Sequence, residues 1–302
     1  NNTEKKSNAC KKIIMFDQSI SLVDKEDRRA PSTFFNEFFQ IFGIVGRQIE
    51  RIDNVKIVLS NKLKESTAMH FHGLVVPNNM DGVPGISFNG IAPGETFTYR
   101  FKVQQSGSYW YHSHSGFQEL TGMYGAIIID PAGAETIHAD RDHVLLFSDW
   151  TDEDPMRVFT KLKSQSDYYN YNQPTVFDFF RDASREGTAA AIDKRKMWNE
   201  MRMNPTDLAD LSAATLTYLA NGVTPAGNWT ALFRPGERVR LRIGNLSMHH
   251  HPIHIHGHRF SVTGSDGGRW PRSAWLPEVT TLVAVGQTRD IEFVADNPGD
   301  WA

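Results

Sequence analysis

From Gly46 onward, apolar and polar positions alternate in short runs. Val55-Lys56-Ile57-Val58-Leu59 alternates apart from its end, and Phe97-Thr98-Tyr99-Arg100-Phe101-Lys102-Val103 alternates strictly. A period of two marks a strand with one buried face. Tyr124 to Asp130 reads as a buried strand ended by Pro131, and Ser108-Tyr109-Trp110-Tyr111 is a further strand. Turns fall between them at Asn78-Asn79, Asp81-Gly82-Val83-Pro84-Gly85 and Pro93-Gly94-Glu95. A second series begins at His143 to Trp150 and resumes at Leu216. It continues through Arg238 to Ile243, Val279 to Val285 and Thr288 to Val294. Pro235-Gly236-Glu237 precedes one strand of this series as Pro93-Gly94-Glu95 precedes one of the first. Within the second series, residues 155 to about 203 have helical composition and predict one to three helices.

The pattern predicts an all-β chain of two sandwich domains with a helical insertion in the second. Residues 1–35 are read as an irregular lead-in and residues 36–135 as the first domain. Residues 141–302 are the second, with the insertion at about 155–203. Phe34 to Phe42 is aromatic-rich and fits helix or strand.

Composition changes this little. A formal charge of −3 on 302 residues, with no basic stripe, argues against nucleic acid. No apolar run reaches eighteen residues, so no membrane span is expected. Cys10 is the single cysteine, which excludes an internal disulfide and reads as a plain free thiol.

The histidines change the picture. Six of twelve lie between His249 and His258. Three pairs have one residue between them: His70 and His72, His112 and His114, His254 and His256. On a strand rising about 3.3 Å per residue, each pair projects from one face with its imidazoles roughly 7 Å apart. At least six paired imidazoles, with no interleaved cysteine or carboxylate, are too many for one zinc ion. They favour a multi-copper cluster instead. His249 and His250 read as a solvated loop, His258 as structural, and His138 and His143 as ordinary. The nine methionines form no dense run. Asn228-Trp229-Thr230 is a formal glycosylation sequon read as a turn.

Met69-His70-Phe71-His72-Gly73, Trp110-Tyr111-His112-Ser113-His114 and His251-Pro252-Ile253-His254-Ile255-His256-Gly257 resemble three of the four copper-binding segments of multicopper oxidases. Ser148 to Pro155 and Asp178 to Asp182 resemble the bacterial copper-resistance branch. The likeness spans about residues 45–302. It implies cupredoxin-like Greek-key sandwiches and a laccase-like oxidase using dioxygen and a phenol-type or cuprous reductant. It also implies His70 and His254 as type 2 copper ligands. His72, His112, His114 and His256 would be ligands of the type 3 pair, and His251 a ligand of the type 1 copper. Asp81 would serve proton delivery beside the cluster, although Asp-Gly is also a plain turn signal. A periplasmic location is implied, and so is a homotrimer with the cluster at the subunit interface, the arrangement of two-domain members.

The family's fourth segment, His-Cys-His, has no counterpart here. The strand text runs intact to Ala302, so the expectation is a chain incomplete at its C-terminus, with no type 1 site and a partial trinuclear cluster. The alternative is a copper-binding or sequestering protein, or an inactive fragment. A two-domain copper nitrite reductase fits less well. Its first-domain cysteine would fall where His112-Ser113-His114 stands.

Overall fold

The computed structural model describes residues 13–17, 54–131, 133, 135, 137–165, 168–169, 175–200, 216–227 and 230–301. Among the described residues the first domain is two sheets. One pairs β2 (Asn54–Ser60) with β4 (Thr96–Lys102). The other runs in the order β1 (Ile13–Asp17), β6 (Tyr124–Ile129), β5 (Gly107–His112), β3 (His70–His72), all antiparallel. Strand β1 lies inside the stretch read as an irregular lead-in. The run Ile13-Ile14-Met15-Phe16 supplies an edge partner for β6, with Ile13 opposite Ile129. Phe34 to Phe42 and Cys10 lie outside the described residues.

Alternation along these strands sorts the side chains. Ile57, Leu59, Phe71, Tyr99, Phe101, Tyr109, Tyr111, Ile127 and Ile129 form one buried core. The Phe71 ring meets Tyr99 and Phe101 edge-on at 5.3 and 4.9 Å. With Phe71 committed to this core, His70 and His72 must leave β3 on the opposite face. With Tyr109 and Tyr111 inside, Ser108, Trp110 and His112 share that face of β5.

The second domain is a six-stranded sheet and a small two-stranded one. The large sheet runs β12 (Leu276–Glu278), β11 (Phe260–Ser265), β14 (Thr288–Val294), β9 (Arg238–Asn245), β7 (Arg141–Trp150), β8 (Thr217–Ala220). The pairing of β7 with β9 is parallel. The small sheet pairs β10 (His251–His254) with β13 (Thr280–Val283). Val239, Ile243, Phe260, Val262, Val283, Ile291 and Phe293 fill the core between them.

The two sandwiches pack face to face within one compact unit. Trp110, Tyr124 and Ala126 of the first share a buried cluster with Leu146 and Leu246 of the second. The Ser108 hydroxyl donates to Asp290 at 2.7 Å, and the Trp110 indole N–H donates to the Gly286 carbonyl at 3.1 Å. At Gly107, with φ +127°, a Cβ would stand 2.0 Å from the Gly267 carbonyl oxygen, so the backbones meet only because the residue is glycine.

Residues 151–217 form a separate unit. It holds three helices among the described residues: α1 (Pro155–Ser164), α2 (Val176–Glu186) and α3 (Thr188–Glu200). Asp154 caps α1, with Pro155 in its first turn, and Thr175 with Asp178 forms a capping box on α2. Arg195 of α3 reaches Asp182 of α2 at 2.7 Å. None of these helices is long and apolar enough to cross a membrane.

Candidate metal centre

The register of β3 on β5 places His70 directly opposite His112. His70, His72 and His112 each offer a nitrogen, and the three atoms lie within 4.8 Å of one another. Among the described residues this is the one such group of three. His114 follows just past the end of β5, its ring 4.7 Å from His70 and 4.8 Å from His112. Both His72 and His112 stack on the Trp110 indole at 4.3 Å, which fixes their ring planes.

Hydrogen bonds decide which nitrogen is free. A neutral imidazole carries one N–H and one lone pair. His70 Nδ1 lies 2.7 Å from the backbone carbonyl oxygen of Asp81, an acceptor only, so Nδ1 carries the proton and Nε2 the lone pair. Gly82 allows this approach. Its φ is +77°, and a Cβ there would stand 1.9 Å from the Met69 carbonyl oxygen. The Asp81 carboxylate is 3.4 Å from the same Nδ1 and partly exposed. His112 is buried, its Nε2 has no hydrogen-bond partner, and Glu119 places a carboxylate oxygen 2.7 Å from its Nδ1.

The electrostatics favour neutral rings. Burial, then the neighbouring His112 and His70, push His72 down to about 4. Burial and the same two neighbours lower His114. Four crowded imidazoles, with His72 and His114 pushed toward the neutral form, are the donor set a copper ion takes. The orphaned Nε2 of His112 is the atom such an ion would satisfy.

The third pair belongs to the second sandwich. Strand β10 ends at His254, and His256 lies in the turn beyond, its ring 5.1 Å from His254. Ile253 and Ile255 pack on the second core, as the alternation predicts. His254 Nδ1 donates to the Val279 carbonyl, leaving Nε2 free. His251 Nε2 sits 2.6 Å from the Ser247 hydroxyl, which also lies 2.7 Å from Asn245 Oδ1. With the hydroxyl hydrogen directed at Asn245, His251 donates from Nε2 and keeps a lone pair on Nδ1. Burial lowers its pKa, partly opposed by Asp149. His250 accepts from the Val285 N–H at 3.1 Å, so it is anchored although exposed. The His258 ring packs on Phe293 at 5.2 Å. The structure therefore gathers His70, His72, His112 and His114, and holds His254 with His256 as a second pair outside that three-residue group.

Sequence reasoning missed Glu119 and the role of Trp110. Trp110 was legible as the residue two before His112, on the same strand face. Glu119 lies in a turn region, where spacing says nothing about which way a side chain points.

Two regions of the sequence match multicopper oxidase domains, residues 44–134 and residues 198–302. The chain belongs to the multicopper oxidase family. It is 52% identical over 240 residues to copper resistance protein A of Escherichia coli, covering 79% of this chain and 39% of that protein. It is 54% identical over 216 residues to the copper resistance protein A homolog of Pseudomonas syringae pv. tomato, covering 71% and 37%. Among solved structures, the blue copper oxidase of Nitrosomonas europaea superposes with a TM-score of 0.59 at 25% identity. That match covers 82% of this chain and 65% of that one. The chain spans about two fifths of the length of these curated relatives. Both sandwiches of this multicopper oxidase chain are cupredoxin-like, and the helices fall in the sequence between β7 and β8 of the second.

Proposed function

We propose that this protein is a copper oxidase. It couples one-electron oxidation of a phenol-type or cuprous substrate to the four-electron reduction of dioxygen to water. The observation that supports the reading is the trio of ligand nitrogens from His70, His72 and His112 within 4.8 Å, with His114 alongside. Copper held there would supply electron transfer and dioxygen binding. His70 and His254 are assigned to type 2 copper, and His72, His112, His114 and His256 to the type 3 pair. His251 is assigned to type 1 copper. Trp110 holds two of these rings in plane. The Asp81 carboxylate, at the solvent edge of His70, holds and passes the protons that dioxygen reduction consumes. The likeness to copper resistance proteins supports cuprous ion as the reductant, and a periplasmic site of action is proposed with it.

The His254 and His256 pair needs a first-domain quartet to complete it. A head-to-tail trimer, in which one copy's pair meets the next copy's quartet, closes as a ring and supplies one. A copper-loaded monomer in sedimentation at micromolar protein would exclude it.

The second reading is a copper-binding or sequestering protein without oxidase activity. It is favoured by the group of His70, His72 and His112, which can hold a metal ion without calling on a thiolate. A blue copper site needs a cysteine thiolate. Absorbance in the thiolate-to-copper band, recorded with oxygen uptake on a phenol and on cuprous ion, separates the two. Blue colour with turnover supports the oxidase. Bound copper with neither supports sequestration.

A further inference from the structure

We propose that Glu119 is a positioning residue for the imidazole cluster, its carboxylate fixing the proton of His112 on Nδ1 so that Nε2 faces a copper ion. The inference rests on the copper-binding reading above and concerns a residue outside the family's histidine segments.

Three observations carry it. First, the Glu119 carboxylate oxygen stands 2.7 Å from His112 Nδ1. It sits off the N–H axis, so the contact is close without yet being an aligned hydrogen bond. Such contacts in metal-free sites commonly tighten when the site is filled. Second, the other nitrogen, Nε2, is buried with no hydrogen-bond partner, in a ring 5.4 Å from His70 and 4.8 Å from His114. Third, the turn carrying Glu119 is pinned by its neighbour. The buried Gln118 side chain donates to the Ser66 carbonyl at 2.9 Å and to the Glu65 carboxylate at 3.1 Å. It accepts from the Thr67 hydroxyl at 2.8 Å and the Ser113 hydroxyl at 2.7 Å. Ser113 is the residue between His112 and His114, so one side chain ties the carboxylate's turn to the ligand pair.

The chemistry follows from the tautomer. An anionic acceptor beside Nδ1 favours the Nδ1–H form, which leaves the lone pair on Nε2 and raises its basicity toward a metal. His70 achieves the same with the Asp81 backbone carbonyl, which no side-chain substitution removes directly. His112 depends on a side chain. That side chain is about one-third exposed, so it can be replaced without opening the core.

The test uses the full chain, first free of copper and then titrated with Cu(II) alone. Long-range ¹H–¹⁵N spectra of histidine-labelled protein should show His112 as the Nδ1–H tautomer. Glu119→Ala should give a mixture or the Nε2–H form and lower copper affinity about 10- to 100-fold. Glu119→Gln, which keeps an acceptor oxygen, should retain the tautomer with a smaller loss. Circular dichroism confirms folding. Should Glu119→Ala fail to fold, Glu119→Ser, too short to reach the ring, is read in its place. An unchanged His112 tautomer with affinity within about twofold of the parent in the shortened variant would overturn the proposal. A parent protein that takes up no copper would overturn the copper reading instead, while the copper-free spectra still judge Glu119.

Discussion

His70 Nδ1 and the Asp81 backbone carbonyl oxygen lie 2.7 Å apart, while the Asp81 carboxylate lies 3.4 Å from the same nitrogen. One residue thus meets the imidazole in two ways, and substitution separates them. Asp81→Ala keeps the carbonyl and removes only the carboxylate. Copper affinity should stay within about threefold of the parent, whereas oxygen consumption should fall about 10²-fold or more if the carboxylate handles protons. Gly82→Ala should do the reverse damage. Its Cβ would strike the Met69 carbonyl, displace the turn and weaken copper binding. Equal copper loss in both variants would contradict this division.

The crowding of the quartet sets a pH dependence in the copper-free protein. His72 is pushed down to about 4 by burial, with His112 and His70 adding to it. An unfolded histidine titrates near 6.5. Between these values the unfolded chain binds a proton that the folded chain refuses. Folding stability from this group is therefore intact above about pH 6.5 and is lost as pH falls toward about 4. Chemical denaturation at pH 7 and pH 4.5 should show the drop, and His72→Gln should reduce it. A His72 ring that titrates above pH 6 in NMR would contradict the assignment.

The interface between the sandwiches depends on buried charge. Arg242 donates to Asp142 at 2.8 Å and to the Ser108 hydroxyl at 3.0 Å, with Asp290 3.5 Å away and buried. Beside it, Arg240 meets Glu292 at 2.9 Å and Glu135 at 3.0 Å. Removing one partner leaves the other buried and unpaired. Arg242→Met should therefore destabilise the chain by about 3–5 kcal/mol in urea unfolding. A loss below about 1 kcal/mol would be the behaviour of an exposed pair and would contradict the buried network.

These residues also show where the sequence was readable. Alternation in Phe97 to Val103 placed Tyr99 and Phe101 in the core, and Met69 to His72 placed two histidines opposite Phe71. A period of two is a local property, and a strand preserves it. The same alternation in Arg238 to Ile243 marks a strand but does not say what its arginines meet. The structure buries Arg240 and Arg242 against carboxylates from β7, β14 and residue 135. That pairing joins residues about fifty and a hundred positions apart, which no local pattern records. The histidine pairs were legible one by one. Which pairs meet was not, because the register of β3 on β5 and the separate placement of β10 are set by packing. Glu119 was invisible for the same reason.

The proposed copper site of the first sandwich is made of imidazoles from β3 and β5. The most direct test is Cu(II) titration of the full chain with X-ray absorption at the copper edge, repeated on His70→Ala/His112→Ala. Copper should bind through nitrogen and oxygen, with several imidazoles among its ligands and most of the uptake lost in the double variant. Uptake that the double variant leaves unchanged, or no uptake by the parent chain, would contradict it.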